Sequence, residues 1–303
     1  MRSGGRRERL TSPHTLEIAG IRFSARASPE IELALGDPRY APFRGRSGAG
    51  TAQIDVPVEL LADQGPDTEG LPLVFDSGGP WRVYRDGSDL LLDFSRGPSG
   101  GRAWLARIAP GAARATVHCG ASGPKGARPV SPLHYPLDQL LTMLLLPHHG
   151  GLLLHTAGVR SGGRAVVFPG RSGAGKSTIM SLLSGRPGLS GLSDDRIVIR
   201  EVDGAFRAYG TPWAGTDPVV SPDSAGLAAI AFIHQAPATR LRRIEPAEAL
   251  GQLLRTASIP WFDPETMTRS LAVCEELLER TPLYELHFRK HPEVADVLAP
   301  LLD

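Results

Sequence analysis

The sequence of 303 residues predicts an α/β (α+β) chain, with a β-rich N-terminal domain ahead of a C-terminal domain built around one glycine-rich loop. Two observations predict it. Between residues 15 and 117, short alternating segments are broken by Gly, Pro and Asp, the period-two pattern of half-buried strands. From residue 135 onward, apolar strand-like runs are interleaved with segments of helical spacing, and the loop stands between one such strand and one such helix.

Composition sets the outer bounds. Hydrophobic residues make up 41% and charged residues 21%, ordinary values for a globular chain. The formal net charge of +1 provides no global field for nucleic acid or an anionic membrane, so neither is expected as a partner. Only three of the 33 basic residues are lysine (Lys125, Lys176 and Lys290), which makes a lysine inside a motif informative. Cys119 and Cys274 lack metal-ligand spacing and are expected as unpaired thiols in a reducing compartment. Residues 1–10 are basic and Gly-rich without an apolar stretch, and the apolar run at 140–146 is too short to span a bilayer. A soluble cytoplasmic protein is expected; a homo-oligomer is compatible with the sequence.

Residues 1–14 are expected as a disordered tail, 15–119 as the β-rich domain, 120–134 as a linker and 135–303 as the second domain. Within the first domain, strand-like segments fall at 16–23, 53–58 and 90–94, and Trp81-Arg82-Val83-Tyr84 ahead of Asp86-Gly87 has the pattern of a hairpin. Trp81 and Trp104 are expected in its core. The second domain opens with helical spacing over 135–146, starting at Pro136. Strands are expected at 151–159 and 164–168, a helix over 176–183, a hairpin around Asp203-Gly204 and a strand at 227–233. Two C-terminal helices follow. The first covers 246–256, and the second starts at Asp263 as N-cap with Pro264 in its first turn and packs Met267, Leu271, Cys274 and Leu278 on one face.

The loop reads Gly170-Arg171-Ser172-Gly173-Ala174-Gly175-Lys176-Ser177-Thr178 and fits G-x-x-x-x-G-K-[ST]. Glycines let backbone N–H groups wrap a phosphate in conformations that a β-carbon obstructs. A helix starting near Lys176 aims its positive end at the same phosphates. The Lys176 ammonium is suited to the β and γ phosphates and the Ser177 hydroxyl to Mg²⁺, so ATP with Mg²⁺ is the expected ligand. A near-copy at 45–51 lacks the lysine and a following helix, and is taken as a chance turn.

Leu192-Ser193-Asp194-Asp195-Arg196 then leads into a strand. Paired carboxylates at such a point can hold Mg²⁺ and orient or deprotonate an attacking hydroxyl. On a regular strand the two would point to opposite faces and would not share one role. The run at 228–233 ends in His234 rather than Asp, and no Asn-Lys-x-Asp guanine-reading motif occurs.

The segments Leu153-Leu154-His155-Thr156-Ala157-Gly158-Val159, the loop itself and Leu192-Ser193-Asp194-Asp195, with Gly210-Thr211-Pro212-Trp213 beyond them, resemble the C-terminal domain of the HPr kinase/phosphorylase family. The likeness is to divergent relatives with a β-rich N-terminal domain and covers residues 136–303. It implies a P-loop kinase fold similar to the nucleotide domain of ATP-dependent phosphoenolpyruvate carboxykinase. It also implies a kinase that uses ATP and Mg²⁺ to phosphorylate a serine-type hydroxyl of a protein or peptide. By the same resemblance His155 lies near the phosphates, Lys176 and Ser177 hold phosphate and metal, Asp194 is the base and Asp195 its metal-side neighbour, with the last two roles interchangeable. One of Arg240, Arg242 and Arg243 reaches the γ-phosphate, or the three form a solvated basic face. Tyr209-Gly210-Thr211-Pro212-Trp213 stands where the family carries an Arg-Gly signature, so HPr itself is not implied as the acceptor. The alternatives are a non-enzymatic ATP-binding regulatory protein, a small-metabolite kinase and a simple hydrolase.

Overall fold

The computed structural model describes residues 14–29, 31, 36–45, 54–95, 102–119, 133–215 and 219–302. They fall into two units, Met1–Thr142 and Met143–Asp303. Apart from His14, Leu133 and His134, the expected tail and linker lie outside the described residues, as does the near-copy loop beyond Gly45.

In the first unit, β1 (His14–Ile18) and β2 (Ile21–Ala27) form a hairpin. Its turn residues Ala19 and Gly20 have φ of 54° and 73°, the geometry that matches the right-handed twist of the flanking strands. The segment expected over 16–23 is therefore two strands. The sheet is completed by β3 (Ile54–Leu61), β4 (Leu73–Asp76), β5 (Trp81–Asp86), β6 (Asp89–Ser95), β7 (Arg102–Ile108) and β8 (Ala115–His118). The strand order is β1-β2-β3-β8-β7-β6-β5-β4. Phe23, Leu60, Leu92 and Leu105 are fully buried in it. Trp104 is buried and stacks on Phe94 at 4.9 Å, whereas Trp81 is half-exposed and stacks on Phe75.

The division between the units falls inside α1 (Leu137–Leu145). The second unit continues with β9 (Gly151–Ser161), β10 (Arg164–Pro169), α2 (Lys176–Leu183), β11 (Leu189–Ser193), β12 (Arg196–Val202), β13 (Ala205–Tyr209), β14 (Ser224–Gln235) and β15 (Arg240–Arg243). It ends with α3 (Pro246–Leu254), α4 (Pro264–Arg280), β16 (Leu283–Phe288) and α5 (Val294–Leu302). The main path of its sheet is β10-β9-β12-β13-β14-β16-β15, with β11 on β9. Because β10 also pairs with β14 in parallel, five strands (β9, β12, β13, β14 and β10) close into a circuit.

This architecture overturns the expected fold class and the kinase-type arrangement that the resemblance implied. The described residues are 42% strand and 26% helix, in two mixed sheets of eight strands each. The reason is in the pairing. Among the described strands of the second unit, only β10–β14 and β14–β16 pair in parallel, and the rest are antiparallel. Hairpins such as β12–β13, with Asp203 and Gly204 at φ 51° and 77°, need only a two-residue turn, whereas a parallel neighbour needs a crossover. A strand-loop-helix motif fixes its own local path and not the partners of its strand.

Two apolar clusters cover the strands. On β10, Val166 and Phe168 pack with Ile179 and Leu183 of α2 and Leu298 of α5. Ala165 and Val167 belong to the other cluster, with Leu253 of α3 and Cys274 and Leu277 of α4. This is the alternation that strand geometry imposes. The face of α4 is rotated from the one expected: Val273, Cys274, Leu277 and Leu278 are buried, whereas Leu271 is 37% exposed. Thr266 and Ser270 also lie on the buried face, and the Ser270 hydroxyl donates to the Thr266 carbonyl at 2.7 Å. An apolar-only stripe passes over such residues. Asp263 caps α4 as expected, accepting from the Thr266 N–H at 3.3 Å. Both cysteines are free, and burial pushes the Cys274 thiol up to about 12. No helix among the described residues is long and apolar enough to cross a membrane.

Phe168 is completely buried between two helices and the sheet. Phe168→Ala is expected to destabilise the chain by about 3–5 kcal/mol, read as a lowered denaturant midpoint with an unchanged slope.

Candidate functional site

β10 ends at Pro169 and α2 begins at Lys176, so the glycine loop spans the six residues between them. Gly175 caps the helix with φ 108°, a conformation that only glycine adopts without strain, and a β-carbon there would come within 2.8 Å of the Phe288 ring. Among the described residues no side chain caps this helix start, and its first N–H groups have no partner within the helix. The Gln235 amide at the end of β14 donates to the Gly173 carbonyl at 3.0 Å and ties the loop to the sheet.

The Lys176 ammonium is drawn into this loop. It is 8% exposed and donates to the carbonyls of Gly170 at 2.8 Å and Arg171 at 3.3 Å. An ammonium has three donors, so one N–H is left for a further acceptor. Burial lowers its pKa, against the opposing pull of Asp195 and Asp194. Ser177 beside it is exposed.

Asp194 and Asp195 are not on a regular strand. They form the two-residue link between β11 and β12, so the expectation of opposite faces does not apply. Ser193 shapes the link: its buried hydroxyl accepts from the N–H groups of Asp195 and Arg196, each at 3.3 Å. Asp194 is 3% exposed and accepts from the Gly215 N–H at 3.1 Å. Burial raises its pKa, although the N–H groups of Gly215 and Val219 counteract it. Asp195 differs. Burial acts upward on it too, but a hydrogen bond from His155, then Arg196 and Lys176, outweigh burial and the net shift is downward. The His155 Nε2 to Asp195 Oδ1 distance is 2.9 Å. The β9–β12 register pairs Arg196 with His155 and so brings Asp195 alongside the imidazole.

These groups meet in one cavity of about 290 Å³, which His155, Asp194 and Asp195 line together with Ser172, Gly173, Gly175, Lys176, Ser177 and Thr178. Gly170, Arg171 and Ala174 line a neighbouring cavity instead. Arg240, Arg242 and Arg243 line neither; Arg242 is held by Glu248 at 2.9 Å and Glu285 at 2.8 Å.

Gly215 and Gln235 also line the site, and motif reading does not find them. Gln235 carries no motif. Gly215 lies two residues past Trp213, in the stretch whose Thr211 hydroxyl donates to the Arg196 carbonyl at 2.6 Å. A β-carbon at Gly215 would stand 3.0 Å from Asp194 Oδ2, so its lack of a side chain leaves room for the buried carboxylate.

Comparison of the chain with models of protein families gives no match, and comparison with curated proteins gives none either.

Asp194 provides a signed test. Because its pKa is raised in the folded chain, the fold loses stability as pH rises from about 4, the ordinary aspartate value, through the raised value. Asn cannot ionise and can still accept from Gly215. Asp194→Asn is therefore expected to match the parent near pH 4 and exceed it at pH 8 in denaturant midpoint. A variant equally weakened at both pH values would remove the assigned burial effect.

Proposed function

We propose that the second unit is a kinase that binds ATP with Mg²⁺ on the Gly170-to-Thr178 loop and passes the γ-phosphate to a serine-type hydroxyl of a protein or peptide. The observation that carries this reading is the convergence of Lys176, Ser177, Asp194, Asp195 and His155 on one cavity.

Each side chain has a task that suits its surroundings. Lys176, with a spare N–H and little water around it, suits a β- or γ-phosphate oxygen. The uncapped N–H groups at the start of α2 suit the remaining phosphate oxygens. Asp194 and Asp195 have their pKa values driven in opposite directions, the pattern that separates a proton acceptor from a permanent anion. Asp194 is the base that takes the acceptor's hydroxyl proton as its oxygen attacks phosphorus. Asp195 stays ionised, with His155 holding its orientation. Catalysis on this reading comes from alignment and charge neutralisation rather than covalent chemistry.

Mg²⁺ fits the donor set. Ser177 and Asp195 offer hard oxygen ligands in the same cavity. No group of three or more His, Cys, Asp or Glu is placed to hold a metal among the described residues. That agrees with an ion that takes most of its ligands from phosphate and water. When bound, the ion would neutralise charge on the β and γ phosphates.

Asp194→Asn is expected to retain ATP binding by calorimetry and to slow transfer from labelled ATP to proteins of a cell lysate by roughly 10²–10⁴-fold. Lys176→Met is expected to weaken ATP binding itself. Undiminished labelling by Asp194→Asn would overturn the base assignment. ATP binding without transfer to any acceptor, by the parent chain, would favour a nucleotide-responsive regulatory protein; steady phosphate release without an acceptor would favour a hydrolase.

A further inference from the structure

A second cavity, of about 390 Å³, lies against the same glycine loop. Pro169, Phe232 and Ile233 give it apolar walls, and Arg171, His234 and Arg255 give it a basic lining. The two guanidinium groups have no hydrogen-bond or ion-pair partner among the described residues. Arg242, Arg269 and Arg289, by contrast, are each tied to glutamates. Among the described residues, His234 Nε2 is buried without a hydrogen-bond partner, and Glu285 Oε1 lies at 4.0 Å. Glu285 does not neutralise the cavity, since Arg242 and Gln252 engage its oxygens at 2.8 and 3.2 Å.

The position of this cavity relative to the triphosphate follows from Lys176. The lysine of such a loop reaches the β and γ phosphates, and here its Nζ sits on the carbonyls of Gly170 and Arg171. Those two residues line the second cavity. It therefore adjoins the γ end of the loop, where the acceptor arrives, and not the nucleoside end. His155 and the second cavity are joined too, since the His155 N–H donates to the carbonyl of Thr256 in its wall at 2.7 Å.

We propose that this cavity is an acceptor subsite, in which Arg255, with Arg171 and His234, holds an oxyanion that the acceptor carries close to its reacting hydroxyl. The acceptor then belongs to a class with a carboxylate or phosphate ester beside the hydroxyl, such as a serine flanked by glutamates. Guanidinium groups free of internal partners are suited to such oxyanions. The assignment rests on the kinase reading above for the transfer step but not for anion binding.

The test uses the full chain with Mg²⁺ and labelled ATP. Serine peptides flanked by Glu are compared with the same peptides flanked by Gln, and glycerol 3-phosphate forms a small-molecule arm. Peptide binding is followed separately by fluorescence anisotropy with a non-hydrolysable ATP analogue present. The parent chain is expected to prefer the Glu-flanked peptide, or glycerol 3-phosphate if the oxyanion is a phosphate ester, by at least about tenfold. Arg255→Glu should abolish that preference and Arg255→Lys should restore part of it, with affinity for the ATP analogue unchanged in both. A parent chain with no preference for an anionic acceptor, or a preference that survives Arg255→Glu, overturns the subsite while leaving phosphate transfer standing. Arg255-dependent binding of an anionic acceptor that is never labelled overturns the kinase reading and leaves the subsite standing.

Discussion

An ammonium and a carboxylate held out of water in one cavity constrain everything around them. Lys176 and Asp194 are 8% and 3% exposed, and an isolated charge so placed would cost several kcal/mol or neutralise itself. Both shifts lie in the direction of neutralisation, downward for the lysine and upward for the aspartate. The loop answers by turning the carbonyls of Gly170 and Arg171 toward the ammonium. The link after β11 answers by turning the Gly215 N–H toward the carboxylate. Neither arrangement tolerates bulk: a side chain at Gly175 meets Phe288, and one at Gly215 meets Asp194.

The sheet makes these local solutions coincide. β9 is shared by β10, β12 and β11, so one strand connects the glycine loop at the end of β10 with the aspartate link between β11 and β12. Register does the rest. Pro169 lies opposite Thr156, and Arg196 opposite His155. The start of the loop and the end of the link are therefore held near adjacent residues of a single strand. A one-residue slip of β12 on β9 would turn its side chains to the other face and separate Asp195 from His155. The antiparallel pairing that overturned the expected fold class is also the pairing that assembles this cavity.

What could be read in the sequence was whatever one short segment decides alone. The turn at Asp203-Gly204 needs two residues at positive φ, and the Asp263-Pro264 start of α4 needs a cap and a proline, so both announce themselves locally. The loop from Gly170 to Thr178 is legible for the same reason. The Ala19-Gly20 turn is not, because an alanine at positive φ gives no turn signal and the flanking apolar residues run through it. The rotated face of α4 escaped because Thr266 and Ser270 are buried with their hydroxyls satisfied locally, Ser270 donating to the Thr266 carbonyl and Thr266 to the carboxylate of the capping Asp263. Strand partners beyond the two hairpins, β5–β6 and β12–β13, escaped, since an apolar strand carries no mark of whether its neighbour runs parallel or antiparallel. Arg255 and Gln235 are brought to the loop by that pairing and by α3, and nothing adjacent to them in the sequence points there.

Charge balance bears on the proposed chemistry as well. Two carboxylates and a triphosphate in one small cavity repel: like unit charges 4 Å apart cost about 4 kcal/mol at an effective dielectric of about 20. Lys176 alone cannot offset both aspartates and the phosphates. A divalent cation would change that balance on the Asp195 side, where the carboxylate is kept ionised. Asp194 is held differently: it is buried and its pKa is raised, so its surroundings favour the protonated form that a base reaches after accepting a proton. The same environment that opposes charge on Asp194 in the resting chain would therefore lower the cost of moving a hydroxyl proton onto it. The stability lost by burying Asp194 and the base role proposed for it would have a single physical origin.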